Sequence, residues 1–441
     1  MIEKYLVKKI TEPVDWKVTV PGSKSMTNRA LLMAVLSAGT VRVEGVLFSD
    51  DSRHFLACLV ALGFTVEIEE EKKCVTVTGC GGRIPRGEAV IDVGSAGTAA
   101  RFLAAMLGFS DGCYEIRCSA QMKRRPMAEL FDLLSGAGAK ITFLEEEGHL
   151  PVRITGCRYA RADKTAGETP RELSLDITKS TQFLSALLLI APMVPEGMKI
   201  HITSEKTDGS YIRITRKMMQ EFGVSVAFDG RDYEVPCRSS YQKETYMVEP
   251  DMSAACYFYA AAAVTGGRAL VRHVHMDNTQ GDLRFLEVLE HMGCTADDTP
   301  EGILVTGPAD GALRGITVNM NDFSDQALTL AAIAPFADAP VRIEGIGHIR
   351  GQECDRIHAI QTNLTALGIR CEEEETAATI YPGSPHGGSV ETYDDHRVAM
   401  AFSLVGLRTD GIVIENPACC RKTFENYFTV LSELTGKTVE S

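Results

Sequence analysis

The sequence predicts an α/β protein made of six repeats of one βαβαββ unit, grouped three and three into two lobes. Three observations carry this. Six stretches of almost wholly small, apolar residues each open on a polar tip, near Ser25, Gly97, Ser180, Ser253, Ser324 and His396, at near-even spacing. Each is followed by a more amphipathic helix that stops at a glycine, and then by two short β-rich runs. The sixth unit ends without its strand pair, while the first twenty residues supply orphan strands (KYLVKKI and WKVTV), so the N-terminal arm is expected to complete the last unit.

The helix bodies read RALLMAVLSAG from Arg29, ARFLAAMLG from Ala100, FLSALLLIA from Phe183, AACYFYAAAAV from Ala254, ALTLAAIA from Ala327 and VAMAFSLVG from Val398. Helices apolar on every side belong in a core. The amphipathic partners end at Gly63, Gly138, Gly223, Gly293 and Gly368, as a left-handed cap requires. Polar, aperiodic stretches near 20–23 and 238–244 mark the crossings between lobes. The expected domains are therefore 21–240, and 1–20 with 241–441.

Residues 21–29 (PGSKSMTNR) read as a tight turn opening a helix. Gly22 permits the turn, Ser23 or Ser25 caps free N–H groups, and Lys24 and Arg29 add cations to a positive helix end, which together make an anion site. Gly94-Ser95-Ala96-Gly97-Thr98 is a helix start without bulk, open to an anion. Further cations stand at Lys123-Arg124-Arg125, Arg350, Arg356, Arg397, Arg421 and Lys422; arginine suits two-pronged capture of carboxylate or phosphate. Asp325 and Glu353 are the acid–base candidates beside these cations, and Asp50-Asp51 reads as helix-start capping. A plain repeat scaffold would not need tips that differ so specifically from copy to copy.

Composition narrows the function. At 441 residues with 45% hydrophobic and 24% charged residues, the chain has ample core, and a formal net charge of -14 argues against a nucleic-acid or anionic-membrane surface. The thirteen cysteines form no CxxC pair, which suits free thiols in a reducing cytoplasm. The charged start MIEKYLVKKI does not read as a signal peptide, and the longest apolar run, 183–194, is too short to span a bilayer. No metal-ligand spacing, GxGxxG or GxxxxGK[ST] loop is present, so no metal or cofactor is expected. The residues alone lead to a two-lobed protein that grips small polyanions and moves protons with carboxylates.

The motifs PGSKSMTNRALL from Pro21, GSAGTAAR from Gly94, MKRRPM from Met122, STQFLSALL from Ser180, DQALT from Asp325, ECDR from Glu353, YDDHRVAM from Tyr393 and KTF from Lys422 together resemble the enolpyruvyl transferase family, and within it 5-enolpyruvylshikimate-3-phosphate synthases. The resemblance spans essentially the whole chain. It implies a two-lobed, inside-out α/β barrel closing around its substrates. It implies transfer of the enolpyruvyl group of phosphoenolpyruvate to the 5-hydroxyl of shikimate 3-phosphate through a tetrahedral intermediate, without metal or covalent adduct, by a cytoplasmic monomer. By residue, it implies shikimate 3-phosphate contacts from Lys24, Ser25, Arg29, Ser180, Thr181, Gln182, Ser210, Tyr211, Asp325, His348 and Gln352. Phosphoenolpyruvate contacts fall to Lys24, Gly97, Arg125, Gln182, Arg356, Arg397 and Lys422. Asp325 resembles the general base, Glu353 the proton shuttle at the methylene carbon, and Lys24 acts on both substrates.

Three positions depart from the common pattern: Gln352 replaces a frequent lysine, His348 a frequent asparagine, and Asp208-Gly209-Ser210-Tyr211 the usual Ser-x-x-Tyr start. Gly97 implies room for the herbicide glyphosate. The enzyme rival is the sister transferase acting on UDP-N-acetylglucosamine, which carries a Lys-Asn pair in the first tip and a reactive cysteine before Arg-Pro; Ala120-Gln121-Met122-Lys123-Arg124-Arg125 has no cysteine. The rival from another class is a non-catalytic anion-binding paralogue, set apart by lack of turnover.

Overall fold

The computed structural model describes residues 3–157, 170–308 and 312–436. The chain forms two compact units, Gly22–Glu249, and Met1–Pro21 together with Pro250–Ser441.

In Gly22–Glu249 the helices are α1 (Lys24–Leu36), α2 (Asp50–Ala61), α3 (Gly97–Gly108), α4 (Ala120–Lys123), α5 (Ala128–Gly136), α6 (Thr181–Ile190) and α7 (Ser210–Glu221). In the other unit they are α8 (Met252–Thr265), α9 (Phe285–His291), α10 (Ala327–Ile333), α11 (Arg356–Ala366), α12 (His396–Arg408) and α13 (Tyr427–Leu434). The apolar bodies behave as their composition requires. From Met26 to Leu36 every residue of α1 is buried, and so is every residue of α3 and every residue of α12 from His396 to Leu407. Within each unit these helices pack on one another, α1 with α3 and α6, and α8 with α10 and α12. Alanine and glycine at the contacts let the helix axes approach closely, so the helices form the centre of each unit and the sheets stand outside them. The amphipathic helices stop where expected, at Gly63, Gly138, Gly223, Gly293 and Gly368, all with φ between +83° and +105°. A Cβ is strained there.

The sheets follow one pattern. Glu88–Asp92 runs parallel to Cys113–Arg117, which is antiparallel to Val152–Thr155, which is antiparallel to Lys140–Phe143. Arg171–Leu175 leads a second such sheet and Thr317–Asn319 a third. A parallel pair needs a crossover, and the buried helix supplies it.

Two expectations need correction. Of the N-terminal arm only Lys4–Leu6 joins the last repeat, antiparallel to Ile412–Glu415. Asp15–Val18 instead runs parallel to Arg268–Arg272 and leads the fourth repeat. Its alternation buries Trp16 and Val18, with Trp16 edge-on to Phe258 of α8. Likewise the chain leaves the first unit at Glu249, not near 240. Thr245–Met247 pairs parallel with Thr40–Glu44, and Tyr246 packs on Phe222 at 5.1 Å. The polar stretch before it is a surface loop inside the unit.

Candidate active site

Each unit carries one polar patch at helix N-termini. On Gly22–Glu249 it is built from α1, α3, α6 and α7. Ser23 occupies the N-cap position of α1 but its side chain bonds Ser25 Oγ (3.3 Å) instead of capping, contrary to the sequence reading. Ala96 before α3 and Gly209 before α7 also make no side-chain cap. At these three helix starts the N-cap residue provides no side-chain acceptor for the first-turn N–H groups, which suits anions. Only α6 differs, with Ser180 Oγ accepting from Gln182 N.

Arg29 is the centre of this patch. It is 2% exposed. Its guanidinium donates to Thr215 Oγ1 (2.8 Å), the Ser25 carbonyl (2.9 Å), Ser185 Oγ and the Tyr211 carbonyl (both 3.3 Å), beside the rings of Phe102 and Tyr211. Burial lowers its pKa to about 10, and no carboxylate pairs with it among the described residues. It stays charged near neutral pH, so a buried positive charge here lacks a counterion. Gln182 Oε1 is buried without a hydrogen-bond partner. Ser25, Thr181, Ser210 and Tyr211 sit in the first turns of α1, α6 and α7.

Lys24 lies 3.5 Å from Asp51 Oδ2. Asp51 does not cap: Ser49 does, in a box with Ser52. The buried Asp51 carboxylate instead holds the Lys24 ammonium. At α3, a Cβ on Gly97 would meet Arg125 Nη1 at 2.4 Å and Arg101 Nη1 at 2.7 Å. Arg101 ties this helix start to the arginine loop by bonding the carbonyls of Gly97 (3.0 Å) and Pro126 (3.3 Å).

On the second unit, charges alternate. Lys422 Nζ lies 3.1 Å from Glu353 Oε1, Glu353 Oε2 3.0 Å from Arg356 Nη2, Arg356 Nη1 3.0 Å from Asp325 Oδ1, and Asp325 Oδ2 2.8 Å from Arg397 Nη2. Asp395, fully buried, caps α12 through Arg397 N (2.8 Å) and pairs with Arg356 Nε (2.8 Å). Burial alone would lower the Arg356 pKa, but Asp395, Glu353 and Asp325 raise it above its ordinary value. His348 Nε2 meets Ser324 Oγ at 2.8 Å, placing it at the tip of α10. Gln352 turns its side-chain oxygen to Arg356, so it acts there as an acceptor. Three cations, Arg356, Arg397 and Lys422, face three carboxylates, Asp325, Glu353 and Asp395. An entering anion must compete with those carboxylates for the cations.

The family model for EPSP synthase (3-phosphoshikimate 1-carboxyvinyltransferase) matches residues 8–431. The chain belongs to the EPSP synthase family. A 3-phosphoshikimate 1-carboxyvinyltransferase of Trichormus variabilis is 41% identical over 429 residues, 97% of this chain and 98% of that protein. One from Sulfurovum sp. is 39% identical over 427 residues, covering 96% and 97%. The solved EPSP synthase of Acinetobacter baumannii superposes with a TM-score of 0.78 at 25% identity, covering 98% of this chain and 97% of that one. Enolpyruvyl transfer in the shikimate pathway is the function that goes with this membership, and the UDP-N-acetylglucosamine alternative is not favoured.

Within this family member, the sequence-derived site residues fall into two groups. Lys24, Ser25, Arg29, Gly97, Arg125, Ser180, Thr181, Gln182, Ser210 and Tyr211 belong to the first unit, and Asp325, His348, Gln352, Glu353, Arg356, Arg397 and Lys422 to the second. Sequence reasoning assigned no role to Arg101 or Asp395, although both lie in quoted motifs. It also missed that Asp51 pairs with Lys24, because a helix-start aspartate looks the same whether it caps or reaches a neighbouring helix.

Proposed function

We propose that the reaction uses these residues as follows. The phosphate of shikimate 3-phosphate takes the place of the missing counterion of Arg29, with Lys24, Ser25, Ser180, Thr181, Gln182, Ser210 and Tyr211 completing its contacts, and Asp325, His348 and Gln352 serving the same substrate. Arg125, Arg356, Arg397, Lys422, Lys24 and Gln182 hold the phosphate and carboxylate of phosphoenolpyruvate, with Gly97 leaving room. The observation that supports this best is the alternation Lys422–Glu353–Arg356–Asp325–Arg397. Cations fixed this way stabilise negative charge, and carboxylates between them stand ready to move protons.

In the first step Asp325 takes the proton of the 5-hydroxyl, whose oxygen bonds to C2 of phosphoenolpyruvate while Glu353 delivers a proton to C3. In the second step the C2–O bond to phosphate breaks and Glu353 takes a proton from the C3 methyl. The vinyl double bond re-forms, and the proton on Asp325 leaves with phosphate. The test is phosphate release in EDTA with two acceptors. Release that needs shikimate 3-phosphate is expected; release with UDP-N-acetylglucosamine instead, or with neither, overturns the assignment.

Gly97→Ala is expected to raise KM for phosphoenolpyruvate about tenfold with little change in melting temperature. The added methyl displaces the guanidinium ends of Arg125 and Arg101 rather than any backbone, and a small misplacement of a binding group is costly. An unchanged KM would remove Arg125 from the phosphoenolpyruvate contacts. By the same geometry we infer that glyphosate competes with phosphoenolpyruvate beside Gly97. We also infer a monomer in the cytoplasm that does not bind nucleic acid. The net charge of -14 supports that, as do thirteen free cysteines. No helix of the described residues is long and apolar enough to cross a membrane.

A further inference from the structure

Behind Asp325 and Arg397 stands a second carboxyl that the proposed steps do not use. Asp282 lies in the 3-10 turn Gly281–Arg284 ahead of α9 and is 6% exposed. Its Oδ2 accepts from Ser253 Oγ, in the first turn of α8, and from Gln326 Nε2 at 3.1 Å. Gln326 is locked the other way by Thr329 Oγ1, which donates to its Oε1 at 2.9 Å. Ser253 Oγ in turn accepts from Arg397 Nη2 at 3.4 Å, and the same Nη2 donates to Asp325 at 2.8 Å. A serine hydroxyl has one proton. Since its oxygen accepts from Arg397, that proton points to Asp282. Four segments thus meet in one directed chain, Asp282–Ser253–Arg397–Asp325, with Gln326 bracing the turn that carries Asp325.

We propose that Asp282 is a positioning residue for the reaction: held in place by Gln326, it sets the guanidinium of Arg397 through Ser253. This rests on the reading of Arg397 as a phosphoenolpyruvate contact. A hydrogen-bonded support of this kind fixes the rotamer of the group that touches substrate. Burial, then the nearby charge of Asp325, raises the Asp282 pKa to about 6, against the lowering effects of Arg397, Ser253 and Gln326. Cys256 also packs here, its Sγ meeting the Asp282 carbonyl at 3.7 Å.

The test is a kinetic cycle of Asp282→Ala, Arg397→Ala and the double variant, with kcat and KM measured for each substrate and a melting curve for each protein. Asp282→Ala is expected to raise KM for phosphoenolpyruvate about tenfold and to leave KM for shikimate 3-phosphate within about twofold. In the Arg397→Ala background the same change is expected to add less than about twofold. Asp282→Asn, which keeps an acceptor for Ser253, is expected to recover most of the loss. Equal losses in both backgrounds, or an unchanged KM in Asp282→Ala while Arg397→Ala impairs binding, would overturn the proposal. If Arg397→Ala itself leaves KM for phosphoenolpyruvate unchanged, the reading of Arg397 fails, and this proposal with it. Should Asp282→Ala not fold, Ser253→Ala carries the same expectation and the same overturning results.

Discussion

Asp325→Asn is expected to lower kcat by about a thousandfold and to leave the fold intact. The substitution keeps the shape of the side chain and one acceptor oxygen, but removes the carboxylate proposed as the base. Asp325 is held by Arg356 at 3.0 Å and Arg397 at 2.8 Å, at the start of a helix whose remaining residues are buried. Losing its charge does not strand Arg356, which keeps Asp395 and Glu353. Arg397 keeps Ser253. The melting temperature should therefore move little, while turnover loses the proton acceptor for the 5-hydroxyl. Phosphate release under saturating substrates measures the first, and thermal unfolding the second. A kcat within about tenfold of the parent would remove Asp325 as general base.

Arg29→Met separates binding from stability in the opposite sense. The guanidinium is buried with no carboxylate partner among the described residues, and burial, which penalises the charged form, lowers its pKa to about 10. At pH 7 the residue is charged both folded and unfolded, so this penalty acts against the fold at every pH below about 10. Methionine removes the penalty and fills similar volume. Thr215 Oγ1 still donates to the Tyr211 carbonyl at 2.8 Å, so few acceptors are stranded. After that partial offset the variant is expected to be more stable by about 1 to 2 kcal/mol. Binding moves the other way. A guanidinium–phosphate contact is a strong, charge-assisted interaction, and its loss should raise KM for shikimate 3-phosphate about a hundredfold or more. Chemical denaturation and steady-state kinetics on the same preparation check both signs. A destabilised variant with normal KM would make Arg29 a structural residue.

The repeats were legible because each unit writes the same physical signal: an apolar helix body, a polar tip, and a glycine where the next helix ends. Gly63 and its four counterparts sit at positive φ for the reason the sequence suggested. Strand partners were not legible. Asp15–Val18 and Thr245–Met247 are four and three residues long. Nothing local in so short a run distinguishes pairing with the last repeat from pairing with the fourth, or with a strand near the start of the chain. At the site, the cations and the carboxylates Asp325 and Glu353 could be found from their place at helix tips. Asp51, Asp282 and Asp395 could not, because each acts through a side chain from another helix, and only packing reveals which one. Gln352 shows the same limit: its place in the motif suggested a contact to substrate, yet its oxygen faces Arg356.

The central claim is that Glu353 of the second unit moves the proton at C3 of phosphoenolpyruvate during addition and elimination. The most direct measurement is hydrogen exchange at that carbon, read by proton magnetic resonance or mass spectrometry with the enzyme in heavy water. The account predicts deuterium in the vinyl group of the product, only when shikimate 3-phosphate is present, and its loss in Glu353→Gln. Product formed without solvent hydrogen at C3, or exchange undiminished in Glu353→Gln, would contradict it.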